Sequence, residues 1–196
     1  MKHLALCLLL ASPATALASC PTAADLDGGG IRLSVSGGDT ELFRRVSEDI
    51  VASIFETRDG LQSLTLLGRG MYVLRIAEMD AGDVVPDSDT TYDFDMPAGS
   101  LPMPGPQEDW TVDVGVDDHG FSSHELQSYR FGPMTEVGLG GCTYDMIPVI
   151  QSYDPDPYEV TDFVNWLPEL GISYLVRSSH AHGDQRYSYT AIEAMP

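Results

Sequence analysis

Two histidines and an aspartate stand close together in His180-Ala181-His182-Gly183-Asp184. Alternate residues of a strand point to one face, so His180, His182 and Asp184 form a candidate zinc or copper ligand set. A lone His-x-His lacks the further ligands of a closed zinc site, and the same residues read as a polar hairpin loop between Ser178 and Gln185. His119 and His124 flank a turn and join a site only if two hairpin ends meet. The clusters Asp80-Ala81-Gly82-Asp83, Asp87-Ser88-Asp89, Asp93-Phe94-Asp95 and Asp154-Pro155-Asp156 suggest calcium, a hard cation that takes oxygen-rich loops. The EF-hand pattern nevertheless fails, because Tyr92 stands where its sixth-position glycine belongs. Solvated acidic loops are the competing reading. No carboxylate pair stands out among 30 acidic residues as a glycosidase couple. The sequence has no G-x-S-x-G elbow, no H-E-x-x-H, no phosphate-cradling glycine loop and no C-x-x-C. No catalytic residue, cofactor-binding residue or cofactor is therefore assigned.

Cysteine usage indicates a compartment. Lys2, the apolar run Leu4 to Leu10 and the small-x-small site Ala16-Leu17-Ala18 have the layout of a secretory signal over residues 1–18. That run is too short to span a bilayer as a helix. Leu17-Ala18-Ser19-Cys20 also resembles a lipobox, which would place a lipid anchor on Cys20, but Ser12-Pro13-Ala14-Thr15 interrupts the apolar run as ordinary signal cleavage sites do. The expected location is the bacterial periplasm or the medium, with the mature chain starting near Ser19. Cys7 leaves with the signal, so Cys20 and Cys142 remain as an even pair in an oxidising compartment, and a disulfide between them is the simplest reading. The alternative, Cys142 as a nucleophile with His119 or His124 as base, has no recognisable surrounding signature.

The elements that must position these residues follow a period of two. Ile31, Leu33 and Val35 alternate with Arg32, Ser34 and Ser36, Gly37-Gly38 occupies a two-residue turn, and Thr40, Leu42 and Arg44 resume the alternation. Ile50–Thr57 and Leu61–Leu67 repeat the design around Arg58-Asp59-Gly60, and Gly68-Arg69-Gly70 turns into Met71–Ile76. Residues 80–109 form a long excursion in which Pro86, Pro97, Pro102, Pro104 and Pro106 forbid a long regular element. Strand patterns resume at Trp110–Val116, Phe121–Tyr129, Met134–Leu139, Thr143–Gln151, Phe163–Trp166, Ile172–Ser178 and Arg186–Ile192. Glu41–Ile54 is the best helix candidate, with Leu42, Val46 and Ile50 at helical spacing, and it competes with the hairpin reading. The expected fold is all-β: an antiparallel meander of about ten strands forming a sandwich, barrel or half-barrel, as one domain over residues 19–196.

Trp166-Leu167-Pro168-Glu169-Leu170-Gly171, with the leader and the central Gly141-Cys142-Thr143-Tyr144, resembles a turn near the end of uncharacterised exported β half-barrel proteins of bacteria. The resemblance implies a fold and carries no catalytic residue.

Charge narrows the partners. Against 30 Asp+Glu the chain has 10 Lys+Arg, a formal net charge of -20 and a pI near 4.2. Nucleic acid and anionic membrane surfaces are excluded, since both need clustered positive charge. The sole lysine is Lys2, so Schiff-base and lysine-base chemistry is absent from the mature chain. With 43% hydrophobic residues, the composition is that of a folded chain. The function expected is noncatalytic binding, in the cell envelope, of an apolar ligand or a partner protein; Trp110, Trp166, Phe121, Phe131 and Tyr174 could line a concave pocket, although for any one of them filling the core is the stronger reading. The alternative is a metal-dependent or carboxylate-based hydrolase built on the His and Asp clusters.

Overall fold

The computed structural model describes residues 19–156 and 158–196. The signal reading of residues 1–18, including Lys2 and Cys7, lies outside the described residues. The fold is one antiparallel sheet of fifteen strands. The strands are β1 Ile31–Val35, β2 Thr40–Ser47, β3 Ile50–Glu56, β4 Gln62–Gly68, β5 Tyr72–Asp80, β6 Asp83–Val84, β7 Thr90–Asp93, β8 Asp109–Asp118, β9 Phe121–Phe131, β10 Thr135–Leu139, β11 Cys142–Asp154, β12 Thr161–Leu167, β13 Ile172–His180, β14 Gly183–Arg186 and β15 Tyr189–Ala194. Two short 3-10 turns, Ala23–Asp27 and Ala98–Ser100, complete the assigned elements.

The all-β meander expected from the alternation is present, and Glu41–Ile54 is a hairpin, not a helix. Glu41 and Phe43 are buried on one face of β2, while Val46, which a helix would have turned inward, is 60% exposed. Gly37 and Gly38 both have φ near +100°, a conformation that only glycine adopts cheaply in a two-residue turn. More strands are present than the ten expected, partly because the Pro-rich excursion is not irregular throughout. It supplies β7, which lies in the sheet between β5 and β8, and it buries Phe94 and Leu101.

Hydrogen-bonded neighbours run β14-β13-β12-β11-β9-β8-β7-β5-β4-β3-β2-β1-β15, with β10 on β11 and β6 on β5. The ladder does not close. Its two ends are nevertheless consecutive in the chain, since Tyr187 N–H donates to the Val176 carbonyl and Ser36 N–H donates to the Ser188 carbonyl. Between β14 and β15 the chain therefore steps from β13 to β1.

The sheet curls on itself because its two ends share a core. Ile31, Leu33 and Phe43, from β1 and β2, pack in one buried cluster with Leu167, Ile172 and Tyr174, from β12 and β13. Each such fully buried side chain contributes roughly 1.5–3 kcal/mol. A second cluster joins Met71, Tyr72, Phe94, Val114, Tyr129 and Trp166. Gly70 sits where the two arms touch: a Cβ there would come within 2.0 Å of the Gly171 carbonyl oxygen, so no other residue fits without moving the backbone. Ser173 Oγ donates to the Gly70 carbonyl at the same junction. Cys20 and Cys142 form the expected disulfide, with Cα atoms 5.6 Å apart.

Candidate functional site

The curled sheet encloses a cleft of about 720 Å³. Ten strands contribute, from β2 to β13, which only a sheet wrapped around the space allows. The pleat selects the lining: alternate residues face inward, giving Ser123, Glu125, Gln127 and Tyr129 from β9, Gln151 and Tyr153 from β11, Thr90 and Tyr92 from β7, and Asp162 and Val164 from β12. Leu67, Val73, Ile76, Val116 and Leu175 add apolar wall.

The polar side chains are linked to one another. Tyr129 donates to Gln127 Oε1, and Gln127 Nε2 donates to Glu125 Oε1 at 2.7 Å. On the adjoining strands the Tyr153 hydroxyl donates to Asp162 Oδ2 at 2.9 Å, and Ser178 Oγ donates to Asp162 Oδ1 at 2.5 Å. Thr90 Oγ1 donates to Asp118 Oδ1 at 2.7 Å. These bonds satisfy groups that would be costly to bury alone, and they fix the side-chain orientations. Burial, then Glu125, Asp118 and Asp162 in that order, pushes the Tyr92 hydroxyl up to about 12. Carboxylates from β8, β9 and β12 therefore act on one point of β7. Tyr153 is raised by burial first and then by Asp162, and Tyr129 by burial first and then by Tyr72, Glu125 and Tyr92.

Glu41 lies on the same cleft wall as Ser53. Ser53 Oγ donates to its Oε1 at 2.5 Å and the Tyr189 hydroxyl to its Oε2 at 2.6 Å. Burial pushes the Glu41 carboxyl up, and the two hydrogen bonds only partly oppose the shift. Among the described residues no arginine, lysine or histidine lines the cleft.

The residues singled out in the sequence lie elsewhere. His180 ends β13, His182 stands in the following turn, and Asp184 is on β14. Asp184 is committed to other groups: it accepts from Ser179 and Arg186 at 2.9 Å each and lies 3.6 Å from Arg177. The Ser179 hydrogen bond foremost, with the arginines adding to it, holds its carboxyl below the ordinary value. His119 Nδ1 bonds the Asp87 carbonyl and His124 Nδ1 bonds Asp113. Among the described residues no group of three or more His, Cys, Asp or Glu side chains is placed to hold a metal ion. Three carboxylates of the acidic loops are engaged locally: Asp89 pairs with Arg75 at 3.2 Å, Asp93 accepts from the Asp95 N–H, and Asp156 from the N–H groups of Tyr158 and Val160.

Of the five aromatics weighed between a pocket and the core, none faces this cleft. Trp166, Phe131 and Tyr174 are core residues, Trp110 packs against the second cluster, and Phe121 is 81% exposed at the tip of the β8–β9 hairpin. The rings that do face it are Tyr92, Tyr129, Tyr153 and Tyr158, and with the amides, hydroxyls and carboxylates beside them the lining is mixed rather than apolar.

No protein-family model matches the chain, and no curated protein matches it. Among solved structures, the crystal structure of the hypothetical lipoprotein YmcC from Escherichia coli (K12) is similar to it at 11% identity, covering 89% of each chain with a TM-score of 0.44. No helix among the described residues is long and apolar enough to cross a membrane.

Proposed function

We propose that this chain is an exported, noncatalytic binding protein that holds a small ligand in the cleft by hydrogen bonds as well as by apolar contact. The observation that carries the reading is the cleft itself, whose volume lies in the range of roughly 300–1,000 Å³ common to small-molecule sites. Its amides, hydroxyls and carboxylates come from neighbouring strands already tied together by hydrogen bonds, an arrangement that binds without reorganising. Export is supported by the leader layout of residues 1–18 and by a disulfide, which persists in oxidising compartments. Thioether lipidation of Cys20 would use the sulfur that bonds Cys142, so the intact mass of the exported protein decides between an anchored and a free form.

The test is a thermal-shift screen of a small-molecule library of mixed charge, followed by amide chemical-shift mapping of the saturable hits. The expected shifts cluster on β7, β9, β11 and β12. A screen without saturable hits, or hits that map only outside those strands, overturns the reading.

A further inference from the structure

Resting on the cleft being the binding site, we propose that its ligand is an organic cation, a molecule carrying an ammonium group seated between the tyrosines and the carboxylates of β7, β9 and β12. Charge balance is the first argument. Leaving aside Glu41, which burial disfavours as a charge, Asp118, Glu125, Asp156 and Asp162 line the cleft, and among the described residues no basic side chain does. Several arginines are engaged elsewhere: Arg75 with Asp89, Arg177 with Asp184 and over the Phe163 ring at 3.5 Å, Arg69 with Asp49. No lysine follows Lys2; His119 Nε2 lies 3.5 Å from Asp118, which leaves Glu125 and Asp162 as lining carboxylates with no ion-pair partner among the described residues.

Acceptor capacity is the second. Glu125 accepts one hydrogen bond from Gln127 and Asp162 accepts two hydroxyls, while an ionised carboxylate offers about four acceptor sites. Room remains for a donor that brings positive charge. The rings are the third. Tyr92 and Tyr153 line the same space from two strands, whereas the Tyr129 ring is stacked against Trp110 and Phe131; an aromatic face attracts a cation within roughly 6 Å. An anion would meet carboxylates and no positive group, and a neutral polyol would find the amides but leave the charge uncompensated. The net charge of -20 adds a field that the low-dielectric walls of a cleft concentrate.

The experiment is calorimetric titration of the full mature protein, at low and at physiological ionic strength, with four probes. Choline and spermidine are the cations; the uncharged alcohol with carbon in place of choline's nitrogen, and maltose, are the neutral controls. Choline should bind saturably and about tenfold more tightly than its uncharged counterpart, the ratio that corresponds to about 1.4 kcal/mol. Glu125→Gln, which keeps the shape and an acceptor, should weaken choline and spermidine several-fold. Asp83→Asn, on exposed β6 and outside the cleft, should leave both unchanged. Equal or tighter binding of the alcohol or maltose, with amide shifts in the cleft, overturns the cation and leaves the binding reading standing. Equal weakening by Asp83→Asn overturns it as diffuse attraction to the chain's charge, and the absence of saturable binding by either cation overturns it outright.

Discussion

Glu41 stands where an ionised carboxylate is least favoured, enclosed by the sheet with two hydroxyls and no cation for company. Its folded-state pKa is raised above the ordinary 4.5 by burial, so between that value and the higher folded one the native state holds a proton that the unfolded chain has released. Stability therefore falls as pH rises through that window, by at most about 1.4 kcal/mol per pH unit. Glu41→Gln removes the titration while retaining the shape. In urea unfolding followed from pH 4 upward, the wild-type midpoint should decline relative to the variant, and parallel curves would show that Glu41 does not titrate this way. Burial also separates the aromatics. Trp166→Ala should cost about 3–5 kcal/mol because it leaves a cavity where the two arms meet. Phe121→Ser, at an exposed tip, should change stability by less than about 0.5 kcal/mol in the same assay.

At the scale of elements, the lead-in before β1 is held by three ties of different chemistry. The Cys20–Cys142 bond fixes it to the start of β11, the Tyr144 hydroxyl donates to the Pro21 carbonyl at 3.0 Å, and Arg45 Nε donates to Asp27 at 2.8 Å. Cys142→Ser should lower stability by about 2–5 kcal/mol, read by denaturant unfolding, and the native wild type should show no free thiol to alkylation. The strands that define this frame were legible wherever one face is buried and the other wet, as in Ile31, Leu33 and Val35 with glycines at the turn. β7 was not legible, because its four residues lie among prolines and aspartates that describe a loop. The cleft was hidden for a related reason. Its wall on β9 is Ser123, Glu125, Gln127 and Tyr129, and the other face of that strand carries Ser122, His124, Ser128 and Arg130 around a single apolar residue, Leu126. Polar residues on both faces cancel the alternation that marks a buried side. The conspicuous His180, His182 and Asp184 drew attention to a surface hairpin, whereas the groups that converge come from strands distant in sequence and meet only when the sheet curls.

For the molecule as a whole, a net charge of -20 makes self-repulsion a standing cost of compactness. Added sodium chloride should raise the melting temperature of the mature protein through screening, measured by calorimetry across a salt series; a flat or falling series would show that the arginine pairs, which salt weakens, outweigh the repulsion. The path of the last two strands has a further consequence, for biosynthesis. β1 receives its outer neighbour only from β15, and the Arg32–Glu193 pair across that seam joins residues 161 apart in sequence. A chain made from its N-terminus holds Ile31, Leu33 and Val35 beside an unpaired edge until β15 arrives. Pairing with β15 shifts the edge of the sheet from β1 to β15, so a product cut short before Tyr189 leaves the β1 border open to other copies of itself.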